Sequence, residues 1–187
     1  EDTIVSGLTN GITYNFLVKT VDPDSGGKST GITVSCTPVF QKMVGGNNSD
    51  ELYSIYPTSD SGFIMAGYSM STDLPFLLNN GGKDVYVVKM DSNWDMEWQK
   101  LHGSINDDIA LCVQQTIDGG YFIAGRWRVI TGEPDKFYAL KLDADGNRTW
   151  ERAMGGNGYD IAYTCQQIAD GGYIVAGESS STDIPGL

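Results

Sequence analysis

Oxygen-bearing side chains recur at alternate positions in two short segments of this chain: Asp91, Asn93 and Asp95, then Asp143, Asp145 and Asn147. A loop that presents side-chain oxygens at positions 1, 3 and 5 can wrap a hard cation, and Ca²⁺ takes such ligands. The twelfth position of a calcium loop carries a bidentate glutamate, and here His102 and Met154 stand there instead. Asx residues in such a run also close turns on their own backbone with no metal. The segments therefore admit two readings, a Ca²⁺ site and a plain Asx turn, and the missing glutamate favours the turn.

A second set of carboxylates is spread through the chain. Asp50, Asp108 and Asp160 each follow a glycine by five residues (Gly45, Gly103, Gly155), and Asp73 and Asp183 lie in two copies of one motif, Ser-Thr-Asp-Leu/Ile-Pro. With Trp127, these residues are expected on one loop-bearing face that could take cations or sugars. The competing expectation is that each Asp caps the N–H groups of its own loop, as short acidic side chains commonly do. Residues that recur in every copy of a repeat serve the repeat first, which favours the cap; ligand specificity is expected where the copies differ, in Ser69–Lys83 and Trp127–Pro134. His102, the one histidine, shares its column with Val44 and Met154 and reads as a packed strand position. No Ser or Cys can be assigned to it as a nucleophile, and nothing selects a carboxylate pair for glycoside hydrolysis. Asn47-Asn48-Ser49 and Asn147-Arg148-Thr149 match the glycosylation sequon, which places candidate glycans on Asn47 and Asn147.

Charge limits the partners. The formal net charge is −12 with only 12 basic residues, so a phosphate backbone finds no basic surface, which speaks against nucleic acid. Anionic lipid is disfavoured for the same reason, and no apolar run is long enough to insert in a membrane. Three cysteines, Cys36, Cys112 and Cys165, have no short-range pairing and form no zinc pattern. Cys112 aligns with Thr164, and Cys165 with Val113. Adjacent strand positions point to opposite faces, so these two are not expected to meet in a disulfide, and free, mostly buried thiols are expected.

The elements that must position these residues come from a repeat. The window from Trp98 to Gly125 aligns without a gap to that from Trp150 to Gly177 and shares 13 of 28 positions, and Phe40–Gly67 carries the same ladder more weakly. The spacing is 58 and then 52 residues, the range of four-stranded propeller blades. Each copy reads as a first strand (Glu51–Thr58, Asp108–Thr116, Asp160–Ile168), a tight turn at Asp60, Asp118 or Asp170, and a second strand (Gly62–Tyr68, Tyr121–Arg126, Tyr173–Glu178). A third strand (Val85–Met90, Phe137–Leu142) and a fourth at Trp98 or Trp150 complete the unit, and Phe40–Val44 reads as one lone strand before them. The fold class is all-β: about two and a half four-stranded blades of an incomplete propeller over 39–187 (repeats 40–97, 98–149 and 150–187), preceded by a β-hairpin in 1–38. Because a propeller closes with four to eight blades, the chain reads as an excerpt of a longer protein or as one that closes through other chains.

The pattern D-x-A…D-G-G-Y-I-x-A-G followed by K-x-D-x-x-G-N-x-x-W resembles the propeller repeats of bacterial and archaeal cell-surface proteins. Leu8, Gly11 and Tyr14, with alternating runs at Ile12–Val21 and Ser29–Cys36, resemble the end of a fibronectin type III domain, with Tyr14 as its tyrosine corner. Repeat one departs from the pattern at Ser61 and at Trp94, where later copies carry glycine. Leu140-Lys141-Leu142-Asp143…Gly146…Trp150 is also similar to the tryptophan-docking motif of quinoprotein propellers, in which the Trp side chains lock blades together; the further polar and metal-binding positions of those enzymes are missing here. Asp145–Trp150 resembles a sialidase Asp-box with the spacing off by one, and that box is a structural turn.

The resemblance implies an extracellular, cell-surface setting and a non-enzymatic structural or adhesive segment that engages proteins or glycans or builds a surface assembly. The alternative is an accessory or catalytic propeller of a secreted carbohydrate-active enzyme. Partners expected on this reading are other blades or chains of the same protein, and then glycans or surface proteins. The one cofactor to consider is Ca²⁺.

Overall fold

A computed structural model describes residues 42–128 and 130–184, together with the backbone of 14–18 and 32–36. The remaining positions, which include Leu8, Gly11 and the turn at Asp22–Gly27, lie outside the described residues. Two compact units divide at Met43/Val44. In the first, β1 (Tyr14–Val18) and β2 (Ile32–Cys36) pair antiparallel with Tyr14 opposite Cys36, as the alternating pattern of those runs requires. Residues 42–44 carry no strand, so the described part of the expected lone strand at Phe40–Val44 is irregular.

The second unit is a row of antiparallel sheets with neighbouring strands consecutive in sequence. The first sheet contains β3 (Asp50–Pro57), β4 (Phe63–Ser69), β5 (Asp84–Met90) and β6 (Met96–His102). The second contains β7 (Asp108–Gln115), β8 (Tyr121–Trp127), β9 (Lys136–Leu142) and β10 (Arg148–Met154). The third has β11 (Asp160–Gln167) and β12 (Tyr173–Ser179). The described residues form no helix and the sheets do not close into a barrel. In this unit each strand expected of the repeats is present, shifted by about a residue at its ends, and the described part of the lone strand expected before them is not.

Period-two alternation assigns each side chain to one of two faces. Ile64, Ala66, Val85 and Val87 of the first sheet share a buried cluster with Ala110, Val113, Tyr121, Ile123, Tyr138, Leu140 and Leu142 of the second. Phe122, Ala124 and Ala139 on the second sheet's other face meet Ala162 and Cys165 of the third. On the first sheet's remaining face Tyr86, Val88 and Met90 form a third cluster with Leu74 of the β4–β5 loop, and Leu52, Met65, Leu77 and Leu101 pack against it. The fourth-strand tryptophans reach forward to the next sheet. Trp98 stands edge-on to Tyr121 with centroids 5.7 Å apart, and Trp150 repeats this with Tyr173 at 5.7 Å.

Each first strand carries one extra residue, Tyr53, Leu111 or Tyr163, where its register against the second strand shifts. The bulge preserves opposite facing for Cys112 and Cys165, yet the thiols meet, with sulfurs 2.7 Å apart. The thiols are free, as expected, but the reason for expecting it, that opposite faces keep the two side chains apart, does not hold between sheets. Opposite faces separate two side chains within one sheet. In stacked sheets the forward face of one looks at the rear face of the next, so opposite columns are the ones that come together.

Both departures in repeat one keep their turns. Ser61 has φ 70° where Gly119 has 82°, and Trp94 has φ 65° where Gly146 has 77°. Such a conformation disfavours L side chains. Trp94 is held there by stacking on Phe63 at 4.6 Å.

Candidate functional site

The loop-bearing end of the sheets gathers most of the candidate carboxylates, and they are engaged with their own loops. Asp50 Oδ2 accepts from Gly46 N at 2.8 Å and from Ser71 Oγ at 2.7 Å. Asp73 Oδ1 accepts from Asn47 N at 2.7 Å, and Ser71 Oγ from Asn48 N at 2.9 Å. The third repeat copies this: Asp160 Oδ2 accepts from Gly156 N at 2.9 Å, Asp183 Oδ1 from Asn157 N at 2.6 Å, and Ser181 Oγ from Gly158 N at 2.9 Å. The Ser-Thr-Asp motif is therefore a clasp on the Gly-Gly-Asn loop 26 residues before it. In repeat two the clasp is replaced. Arg126 and Arg128 both bind the buried Asp135, while Asp108 Oδ2 takes Ser104 N at 2.5 Å. Trp127 is set edge-on to Tyr138 at 5.2 Å and packs on the core with its Nε1 buried and unpartnered.

The two sheet junctions differ in charge at this end. Asp84 and Asp108 are both fully buried, each with an Oδ1 that has no hydrogen-bond partner. At the second junction Lys136 occupies the column of Asp84, and its Nζ donates to the carbonyls of Gly156 and Gly158. Asp160, in the column of Asp108, has both oxygens engaged by Ser179, Ser181 and Gly156. The carboxyls respond accordingly. Burial pushes Asp108 up to about 6, with Asp84 adding to it against the Ser104 hydrogen bonds, and burial raises Asp84 as well. For Asp160, burial pulls upward and is outweighed by the hydrogen bonds of Ser179, Ser181 and Gly156, so its pKa is lowered.

His102 is half-buried in β6, and its Nε2 lies 3.1 Å from the carbonyl of Gly146 in the next sheet. Burial pushes it down to about 4. It is neutral near pH 7 and joins two sheets through a donated Nε2–H. No serine or cysteine is hydrogen-bonded to it among the described residues.

At the opposite end two buried lysines, not singled out in the sequence reading, organise the hairpin turns. Lys141 Nζ binds Asp118 Oδ2 at 2.9 Å and the Leu142 carbonyl at 2.9 Å. Lys89 Nζ binds Asp60 Oδ2 at 2.8 Å, Glu97 at 2.6 Å and the Met90 carbonyl at 3.1 Å. This explains a glycine of the Asp-Gly-Gly turn: a Cβ on Gly120 would lie 2.5 Å from Lys141 Nζ and 2.3 Å from the Leu142 carbonyl oxygen. The hydroxyl of Thr116 holds the Asp118 carboxyl down to about 2, helped by Lys141. The available signal was K-x-D at the end of the third strand, repeated in phase with D-x-G. Lys141→Met keeps the buried stem and removes the ammonium. Because Asp118 is 60% exposed and can be rehydrated, the expected loss is about 2 kcal/mol, below that of a fully buried pair, read from urea unfolding.

The alternate-oxygen segments form Asx turns. Asp91 Oδ1 accepts from Asn93 N and Asp95 N, both at 2.8 Å. Asp143 Oδ1 accepts from Asp145 N at 3.0 Å and Asn147 N at 2.8 Å. Among the described residues no group of three or more His, Cys, Asp or Glu side chains is placed to hold a metal ion. Asn47 and Asn147 are both exposed; the Nδ2 of Asn147 donates to Asp143 Oδ2 at 3.1 Å. The arrangement can clamp loops, join sheets and present loop surface. No protein-family model matches this chain, and no curated protein matches it either.

Proposed function

We propose that residues 44–184 are consecutive blades of a propeller, and that the chain is a non-enzymatic structural and adhesive segment of an extracellular, cell-surface protein, assembled on both sides with further repeats of the same kind. The observation that carries this is a contrast within columns. Ile174 is 53% exposed, while its counterparts Phe122 and Ile64 are at 1% and 0%. At the other end Ile55 is 53% exposed, against 2% and 9% for Val113 and Cys165 in the same column. A position that is buried in every internal copy and apolar in the outermost one is built to be covered by another sheet. The adhesive part draws on Ser69–Lys83, the loop in which the copies differ, where Phe76 and Leu78 are exposed and Phe76 is held at φ 62°.

Light scattering across a concentration series tests the assembly. Association is expected, and Ile55→Asp or Ile174→Asp should each weaken it; a monodisperse monomer at high concentration counts against it. Screening against glycans and glycosidic substrates tests the class. Binding without turnover, reduced by Phe76→Ala, is expected. Turnover abolished by one carboxylate substitution would replace this reading with that of a secreted carbohydrate-active enzyme.

A further inference from the structure

The first junction carries Ser54 and Val113 at one contact. Ser54 Oγ, on the forward face of β3, accepts the Val113 N–H of β7 at 3.1 Å. The second junction has the same contact one sheet later. Cys112 Sγ, on the forward face of β7, accepts the Cys165 N–H of β11 at 3.1 Å. The backbone geometry is shared, but at the second junction both side chains are thiols. Their sulfurs are 2.7 Å apart, with Cys165 S–H directed at Cys112 Sγ. Neither is in a disulfide.

The pair is reachable. Cys112 and Cys165 line a cleft of about 490 Å³ between the first strands of the three sheets, with Ser54, Tyr56, Gln114 and Gln166 around them. Cys112 is half-buried and Cys165 buried. Each thiol therefore has its own part in an exchange: an outer sulfur open to the cleft, and an inner one behind it.

We propose that Cys112 and Cys165 form a dithiol site that takes a low-molecular-weight disulfide as oxidant and closes into a covalent bond between the second and third sheets. Cys112 attacks first. As thiolate it displaces one sulfur of the reagent, R–S–S–R, giving a mixed disulfide and R–S⁻. Cys165 then attacks the Cys112 sulfur, its proton passing to a departing thiolate, and the second R–S group leaves. In sum, two protein thiols and one R–S–S–R give one protein disulfide and two R–SH. The thiolate form is the nucleophile in such exchange. The S–H of Cys165 and its backbone N–H pull the Cys112 thiol down to about 7 against burial, while the Cys165 thiol is raised by the same contact and by burial. The oxidising conditions of a cell-surface setting would hold the bond closed.

The full chain, equilibrated with oxidised glutathione and then digested without reduction, should yield a cross-linked peptide joining Cys112 to Cys165. The intact mass should fall by about 2 Da, the two hydrogens lost, and both residues should be protected from alkylation. The oxidised protein should melt at a higher temperature than the reduced one, since the link closes a loop spanning 53 residues. The double substitution Cys112→Ser, Cys165→Val copies the first junction, so it should fold, and its melting temperature should not respond to the glutathione ratio. The proposal fails if both thiols remain alkylatable after equilibration, if glutathione stays on Cys112 as a mixed disulfide, or if either residue pairs with Cys36 instead.

Discussion

Gly125→Ala is expected to abolish cooperative folding of the sheet stack. A Cβ at this position would lie 1.9 Å from the carbonyl oxygen of Ile109 and 3.0 Å from Ala110 Cα. Those atoms are backbone of β7, which is paired to β8 on one side of the bulge at Leu111 and to its continuation on the other. The strand cannot retreat, because Ile109 and Ala110 are buried. Overpacking by a methyl group in a core usually costs about 1–3 kcal/mol when side chains can yield. Here the obstacle is a carbonyl, so the loss should be on the order of 4 kcal/mol or more, seen as insoluble protein or a collapsed urea midpoint. Gly67 and Gly177 have the same relation to Glu51 and Ile161, at 1.8 Å each, and should behave alike. Gly119→Ala is the control. It has φ 82° and nothing within 4 Å of its Cβ position, so only the left-handed backbone cost of about 1 kcal/mol applies. Equal losses at Gly119 and Gly125 would refute the steric account.

The second large effect is in pH. Asp108 titrates near 6 in the folded chain against a reference of 3.8. A carboxyl raised in this way contributes stability that is full below its unfolded pKa and is lost as pH rises through 6. His102 titrates near 4 against 6.5; its contribution is present above 6.5 and is lost as pH falls through 4. Each is worth about 3 kcal/mol by linkage, and the two act in opposite directions across nearly the same window. The unaltered chain should therefore show little net dependence from this pair between pH 4 and 6.5. Asp108→Asn should gain stability at pH 7 and then lose it on acidification, since only His102 remains. His102→Met, which places the residue of the Met154 column there, should do the reverse and become more stable as pH falls from 6 to 4. Parallel profiles for both variants would sink the assignment.

The sheet order could be read from the chain because it depends on local rules: Asp with Gly at the tight turns, an aromatic and Ala-Gly on the second strand, and Asx residues before the fourth. Other features depend on which sheet lies next to which. The bulges at Tyr53, Leu111 and Tyr163 are one-residue insertions shared by all copies, so an ungapped alignment hides them. Lys89 and Lys141 look like ordinary exposed charges in K-x-D until the turn above them is seen to lack the Cβ that would block the ammonium. The cysteine columns were identified correctly, but the stacking of one sheet on the next reversed what they meant. At the loop end, the Asp and Ser residues of the Ser-Thr-Asp motif were legible as a repeated motif, whereas their partners, 26 residues earlier for the Asp and 23 for the Ser, were not, because the clasp closes across a strand pair.

The exposed columns at Ile55 and Ile174 lie on unlike faces, one at the rear of the first sheet and the other at the front of the third. A face of one kind fits a face of the other, as the internal junctions already demonstrate. Contacts made through them are heterologous, and no two-fold axis relates the partners. Such contacts continue from unit to unit until the rotation per junction brings the last onto the first. On the proposed assembly, the choice between a ring and a growing fibre would therefore be set by the angle between successive sheets.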